Sequence, residues 1–512
     1  MATERSEIAT VDAPLPDHVD VLIVGAGLSG IGAACQLSTE CPDKSYLILE
    51  SRGATGGTWD LFRYPGIRSD SDMFTLGYKF RPWPGSKVLA DGPSILSYMR
   101  DTAEKYGVSD KIRLHKKVLR GDWSSADQRW TVTIEDTESG ETESITASYV
   151  HACAGYYNYD EGFLPEFPGR DSFKGEVIHP QHWPEDLDYT GKRVVVIGSG
   201  ATAVTLVPAM ADKAAHVTML QRSPTYIMAI PGNDPIHKAL LKAKVPENLM
   251  FGVMRRKNLG LSSGMYKFSR AQPKLMRKII RGAAKRQLPE NYPVDVHFNP
   301  KYDPWDQRLC VVPDGDLYKT IRRGQADVVT GTIKTFNETG IELDSGEQID
   351  ADIIITATGL NLQMMGGAEF TVDGQSREPK DMTAYKGIMM GGVPNFSFVV
   401  GYTNASWTLK ADLASGYLCR LLNYMDRNGY SVVIPRDPSP DMERRPMVDL
   451  MTGYVLRSID ELPKQGVDAP WTLKQDYKVD RKQLLEGPVD DQVDFLRPAQ
   501  QAAQAEEPAA VA

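Results

Sequence analysis

Val19-Asp20-Val21-Leu22-Ile23-Val24-Gly25-Ala26-Gly27-Leu28-Ser29-Gly30 decides the fold. A β-branched run enters a Gly-x-Gly-x-x-Gly turn, Ile31 to Leu37 follows in helical pattern, and Ser45 to Leu49 is a second apolar run ending at Glu50. Strand, tight turn, helix and strand make a βαβ unit of a doubly wound sheet. In such a unit Gly25 permits the turn, Gly27 lets backbone approach a pyrophosphate, and Gly30 lets helix and strand pack. The unpaired N–H groups of the helix N-terminus face the anion. An acid at the place of Glu50 suits a free ribose 2′-hydroxyl and repels a 2′-phosphate, so FAD or NAD fits this turn and NADP does not.

A second copy follows. Arg193-Val194-Val195-Val196-Ile197 enters Gly198-Ser199-Gly200-Ala201-Thr202-Ala203, then a helix, then Val217 to Leu220. Ala203 replaces the third glycine and is still small enough for helix and strand to pack. Here the second strand ends in Gln221-Arg222 with Ser223 beside it, and a guanidinium next to a hydroxyl receives a 2′-phosphate that a carboxylate would repel. NADPH is the natural occupant; the plainer reading of Arg222 is a surface arginine. The fold class is therefore α/β, with two Rossmann-like dinucleotide-binding domains: a discontinuous FAD domain, an inserted NADPH domain and a helical insert.

The expected layout is a disordered tail over 1–17, the first part of the FAD domain over 18–158 and a proline-rich linker over 159–190. The NADPH domain follows over 191–350 with a basic helical insert at 235–290, then the second part of the FAD domain over 351–495 and a disordered Ala/Gln/Glu/Pro tail over 496–512. Within the first part, Trp130 to Ile134 and Glu143 to Tyr149 read as paired strands of a small antiparallel layer, turning at Thr137 to Gly140. Ile353-Ile354-Ile355-Thr356 reads as an apolar strand after which the chain returns to the first domain, and Phe396 to Val400 with a helix from Lys410 to about Met425 as that domain's last βα pair.

Composition narrows the classes. The chain has 512 residues, 41% of them hydrophobic, and a net charge of -9, which argues against nucleic acid as the partner. Its five cysteines are scattered without a Cys-x-x-Cys, so neither a disulfide framework nor a metal site is expected. The N-terminus has no apolar signal core and no stretch of about 18 uncharged apolar residues occurs, which points to the cytoplasm.

Between the two turns lies Phe173-x-Gly175-x-x-x-His179-x-x-x-Trp183-Pro184, and earlier Gly56-Gly57-Thr58-Trp59-x4-Tyr64-Pro65-Gly66-x3-Asp70. On these two patterns the chain resembles the type I Baeyer-Villiger flavin monooxygenases. It looks closest to their ethionamide-activating branch through Gly57 to Asp72, Tyr156 to Gly162, Asn299 to Cys310 and Tyr402 to Asp412. The resemblance spans about residues 18 to 495.

It implies that NADPH reduces FAD, that O2 adds at the flavin C4a, and that the peroxyflavin anion attacks a ketone carbonyl to give an ester, with sulfides or thioamides as further substrates. The cofactor carries the hard chemistry, and the protein orients, shields and supplies charge. The resemblance makes Arg308 the fixed cation for the peroxyanion and Asp70 its partner; without it the two read as a structural ion pair. It gives His179 a supporting place in the interdomain linker with Phe173, Gly175 and Trp183. Thr58 and Trp59 join the cofactor-binding set, although Trp59 and Trp407 read equally as core aromatics. Many relatives carry a lysine where Gln307 stands, which leaves more of the 2′-phosphate discrimination to Arg222 and Ser223.

Between Lys238 and Arg286 there are fourteen Lys/Arg and one acid, Glu247, interleaved with apolar residues. A solvated basic face, or one turned toward NADPH phosphates, is the plain reading; loose peripheral contact with an anionic membrane is the sharper one. Three other functions compete with ketone oxygenation. Trp183-Pro184 and Asp70 count against an N- or S-oxygenase of the flavin-containing monooxygenase kind. A disulfide reductase needs a cysteine pair that is absent. A non-catalytic flavin sensor does not need Arg308, Asp70 and an NADPH site together.

Overall fold

The computed structural model describes residues 13–448 and 450–498. Its larger sheet has nine strands, with His18–Val24 between Tyr46–Leu49 and Thr142–Ala152, parallel to both. Val21 to Val24 are all buried, which is why the run reads as continuously apolar rather than alternating. Phe396–Phe398 also pairs parallel with Thr142–Ala152, and the helix Trp407–Asn428 returns against the helix Leu28–Glu40. The strands Arg129–Asp136 and Thr142–Ala152 do pair antiparallel. They are no separate layer, however. The second of them runs for 11 residues, long enough to pair with the hairpin at its start and with the central parallel strands at its end.

The second sheet has five parallel strands in the order Ala326–Thr330, His216–Gln221, Arg193–Ile197, Ile353–Thr356, Glu176–Ile178. Two expected boundaries move as a result. Ile353–Thr356 sits inside the second sheet rather than reopening the first domain at 351, and Glu176–Ile178, expected in the linker, is its edge strand. Short apolar strands fit the interior of either sheet, so composition could not place them. The chain crosses between the units at Tyr157–Gly162 and Leu360–Leu362, which pair antiparallel, so departure and return run side by side.

The basic insert is helical, as expected, in three pieces: Pro235–Lys242, Glu247–Ala271 and Pro273–Gln287. The long middle helix reaches back to the first unit. Met250, Phe251 and Met254 join the core that packs around Leu28–Glu40. Arg255 donates through Nη1 to the carbonyls of Phe74 at 3.0 Å and Gly77 at 2.8 Å, and its Nη2 lies 3.3 Å from the buried Asp412 carboxylate.

Residues 13–17, expected in the first tail, lie against the larger sheet: Leu15 packs on its core and the Asp17 carbonyl accepts from Thr146. Leu496, expected in the second tail, pairs with Val432 in the strand Val493–Leu496. Of the two expected tails, residues 1–12 and 499–512 fall outside the described residues.

Burial pushes the Asp412 carboxyl up to about 6 from an ordinary 3.8, with Arg255 pulling the other way. The folded state therefore holds this proton more tightly than the unfolded chain. The acid's contribution to stability is fullest below about 4 and is lost as pH rises through about 6. Arg255→Met removes the opposing charge and raises the folded value further. The variant is expected to be less stable by about 3 kcal/mol above neutral pH, with a deficit that shrinks toward acid. Urea unfolding of both proteins on either side of the transition reads the difference; equal deficits contradict the pairing.

Candidate active site

The first turn closes only with glycine at two of its positions. Gly25 has φ 101°, and a Cβ on Gly30 would stand 1.9 Å from the Gly25 carbonyl oxygen. Gly27 is open toward Gly57, with no atom nearer than 3.6 Å to where its Cβ would be. Glu50 is buried; its Oε2 accepts from the Ala26 amide at 2.8 Å and its Oε1 from the Arg52 amide at 3.0 Å. Burial raises its carboxyl above the usual range against these N–H bonds. The acid thus braces the turn, a duty that its position in the sequence did not reveal.

From this turn a cavity of about 760 Å³ extends past Glu50, Thr58 and Trp59 to Asp70 and Arg308, and touches Ala201 and Thr202 at the start of the second unit's helix. Thr58 Oγ1 lies 3.1 Å from the Tyr159 hydroxyl. Trp59 and Trp407 line the cavity while resting on the first core. The Trp407 indole N–H donates to Ser29 Oγ at 2.8 Å, and its ring stacks on Tyr156 at 5.2 Å.

Arg308 and Asp70, 238 residues apart, meet on the cavity wall. Nε and Nη2 of the arginine lie 3.0 and 2.8 Å from Asp70 Oδ2. Protein surrounds the guanidinium, yet 39% of the side chain is accessible, because what it faces is the cavity. Asp70 raises its pKa still further above the ordinary value, so the cation is permanent.

Each partner stands on a supported loop. Phe62 and Tyr64, just before Asp70, pack into the core of the second unit. Before Arg308, Trp305 adopts φ 75°, rare for a bulky residue, and meets Tyr266 of the long insert helix edge-on at 5.5 Å. Arg270 of the same helix binds Asp306 at 2.6 Å, and the Tyr226 hydroxyl donates to the Tyr302 carbonyl at 2.6 Å.

At the second turn, Gly198 and Gly200 precede the helix Ala201–Met210, and Ala203 in its first turn is wholly buried. Arg222 and Ser223 are exposed just beyond the strand, and the Ser223 carbonyl accepts from Ser199 Oγ of the turn at 3.2 Å. Neither residue lines the large cavity. This is a separate candidate site, open to an anion.

The four residues of the linker pattern also lie outside that lining. Phe173 is buried with Phe336 and Ile341, and a Cβ on Gly175 would stand 2.2 Å from the Asp352 carbonyl oxygen. Trp183 packs on the second unit's core. His179 accepts from the Gln181 amide at Nδ1, and its Nε2 lies 3.2 Å from the Gly359 carbonyl, which fixes the neutral Nε2–H form; burial lowers its pKa. Its ring lies against Gly162, so it sits where both crossings between the units pass.

Sequence reasoning assigned no role to the tyrosines of the cavity. Tyr156 and Tyr157, rings 4.6 Å apart, stand beside Arg308, and burial holds their hydroxyls neutral. Their signal was an aromatic pair directly after Gly155 at the end of a central strand. It also missed the buried Asp60, which gathers Arg52 at 2.8 Å, Arg100 at 3.3 Å and Arg63 at 3.5 Å beneath the first turn. No spacing announces those three arginines.

Residues 89–366 match the flavin-binding monooxygenase-like family, and residues 23–83 an NAD(P)-binding Rossmann-like domain. The chain is 55% identical over 479 residues to the FAD-containing monooxygenase EthA of Mycobacterium tuberculosis, covering 93% of this chain and 97% of that one. It is 53% identical to the putative FAD-containing monooxygenase MymA of the same organism, with 93% and 97% covered. Among solved structures, an oxidized steroid monooxygenase bound to NADP matches with a TM-score of 0.73 at 23% identity, over 94% of this chain and all of that one. Fold and site define a flavoprotein with two dinucleotide-binding units. The chain belongs to the flavin-binding monooxygenase-like family, and its class is that of the FAD-dependent monooxygenases.

Glu50→Gln turns one of the two acceptor oxygens into an NH2 facing a backbone N–H. The cost is roughly 1–3 kcal/mol, or about ten- to a hundredfold in FAD retention. Flavin fluorescence in the filtrate of the purified variant measures it; retention equal to wild type contradicts the bracing role.

Proposed function

We propose that this protein is a Baeyer-Villiger monooxygenase that uses FAD and NADPH to insert one atom of O2 beside a ketone carbonyl, giving an ester, and that also oxidises sulfides or thioamides. The observation that carries this reading is the permanent cation Arg308, held by Asp70 on the wall of the cavity that begins at the first glycine turn. FAD, reduced by NADPH, supplies the oxygen-activating chemistry when bound.

The chain's residues divide the remaining tasks. The Gly25–Gly30 turn and the helix after it hold the FAD pyrophosphate, Glu50 takes the ribose, and Thr58 and Trp59 border the cofactor. Gly198, Gly200 and Ala203 do the same for NADPH, with Arg222 and Ser223 on its 2′-phosphate. Trp407, Tyr156 and Tyr157 wall the cavity and limit water. Arg308 places positive charge where an anionic oxygen must be stabilised, and a guanidinium serves because it keeps its proton. Asp70 holds the guanidinium in place through Nε and Nη2. His179, with Phe173, Gly175 and Trp183, supports the crossing between the units.

The direct test follows NADPH consumption by the purified protein with 2-octanone or phenylacetone and assays the ester. Ester formation is expected. NADPH oxidation that gives only hydrogen peroxide across a ketone panel, while a sulfide is oxidised normally, replaces this reading with that of an N/S-oxygenase without ketone activity. Arg308→Ala is expected to lower ester formation at least about a hundredfold with FAD still bound and NADPH still consumed. Arg222→Ala is expected to raise the KM for NADPH roughly tenfold or more and leave that for NADH unchanged. An equal rise for both cofactors removes Arg222 from the 2′-phosphate.

A further inference from the structure

Fourteen large apolar side chains are exposed among the described residues, and eight of them lie on the three insert helices. Ile236 and Leu241 are on the first, Leu249, Val253, Leu261 and Phe268 on the second, and Leu275 and Ile279 on the third. Scattered exposure is ordinary, whereas this concentration is not. At about 100° per residue the four on the long helix fall within a sector of about 120°. Arg255 and Asn258, on the far side of the helix, are buried and bond to the first unit.

Cations are interleaved with them. Lys238, Lys242, Lys244, Arg256, Lys274 and Lys278 are exposed, whereas Lys257, Lys267, Arg270 and Arg281 pair with Asp234, Asp476, Asp306 and Asp295. Fourteen Lys/Arg against one acid between Lys238 and Arg286, on a chain of net charge -9, make the insert a basic face on an acidic molecule.

We propose that this face of the insert docks on a membrane surface of anionic lipid. An acidic protein face would answer the lysines but not eight apolar side chains spread over three helices. Lipid answers both, with headgroups around the cations and the acyl boundary around the leucines. No helix among the described residues is long and apolar enough to cross a membrane, so the contact is peripheral. The long helix that presents this face also holds the Arg308 loop through Arg270 and Asp306. Docking therefore sets the cavity close to a store of lipophilic substrate.

The test floats the full-length holoenzyme with vesicles of phosphatidylcholine alone, or with phosphatidylglycerol added, at low and high salt. Binding is expected on the anionic vesicles at low salt and at least about tenfold less in the other conditions. The triple variant Leu249→Ser, Leu261→Ser, Leu275→Ser keeps every charge. It is expected to bind at least about tenfold more weakly, with circular dichroism and FAD content equal to wild type to show that it folds. No flotation on anionic vesicles overturns the proposal. So does flotation that the triple variant leaves intact, which is adsorption by charge alone. So, too, does a wild-type dimer in light scattering that the triple variant separates into monomers, since the occupant is then a second copy. The readout is binding, so its failure leaves the reading of the cavity untouched.

Discussion

The ion pair between Asp70 and Arg308 is the constraint around which the rest of the site is arranged. One partner comes from the first dinucleotide unit, the other from a loop of the second, and they meet at 2.8 Å. A guanidinium facing a cavity within the protein is stable only beside an anion, so the pair fixes how the two units can be juxtaposed. The same need explains why neither loop is left to itself. Phe62 and Tyr64 anchor the Asp70 side in the second unit's core, and the insert holds the Arg308 side.

The long insert helix connects these supports. At one end Arg255 binds the segment just after Asp70 through the Phe74 and Gly77 carbonyls, and Asn258 donates to Asp72 at 2.7 Å. At the other end Tyr266 and Arg270 hold Trp305 and Asp306. A segment that reads in the sequence as a basic appendage is thus a strut between the two loops. Four cations of the long helix, Arg255, Lys257, Lys267 and Arg270, are occupied in pairs, and those of the insert left exposed accompany the apolar face.

Much of this was legible in the sequence because it rests on local rules. The glycine turns, the βαβ units and the helical insert follow from steric demands and periodicity within about thirty residues. What was not legible depends on partners far along the chain. Ile353–Thr356 and Glu176–Ile178 were placed in the wrong company because a short apolar strand does not say which sheet receives it. Glu50 was read as a ligand for ribose, but its bonds to the Ala26 and Arg52 amides appear only once the turn is folded. Asp60 and its three arginines leave no pattern at all, since residues 52, 63 and 100 converge only in space.

The central claim is that Asp70 acts through Arg308 and has no independent part. A double-mutant cycle on ester formation, with Asp70→Ala, Arg308→Ala and both together, tests it most directly. The account predicts that the double variant is no slower than Arg308→Ala alone. Losses that simply multiply would show two independent contributions and contradict it.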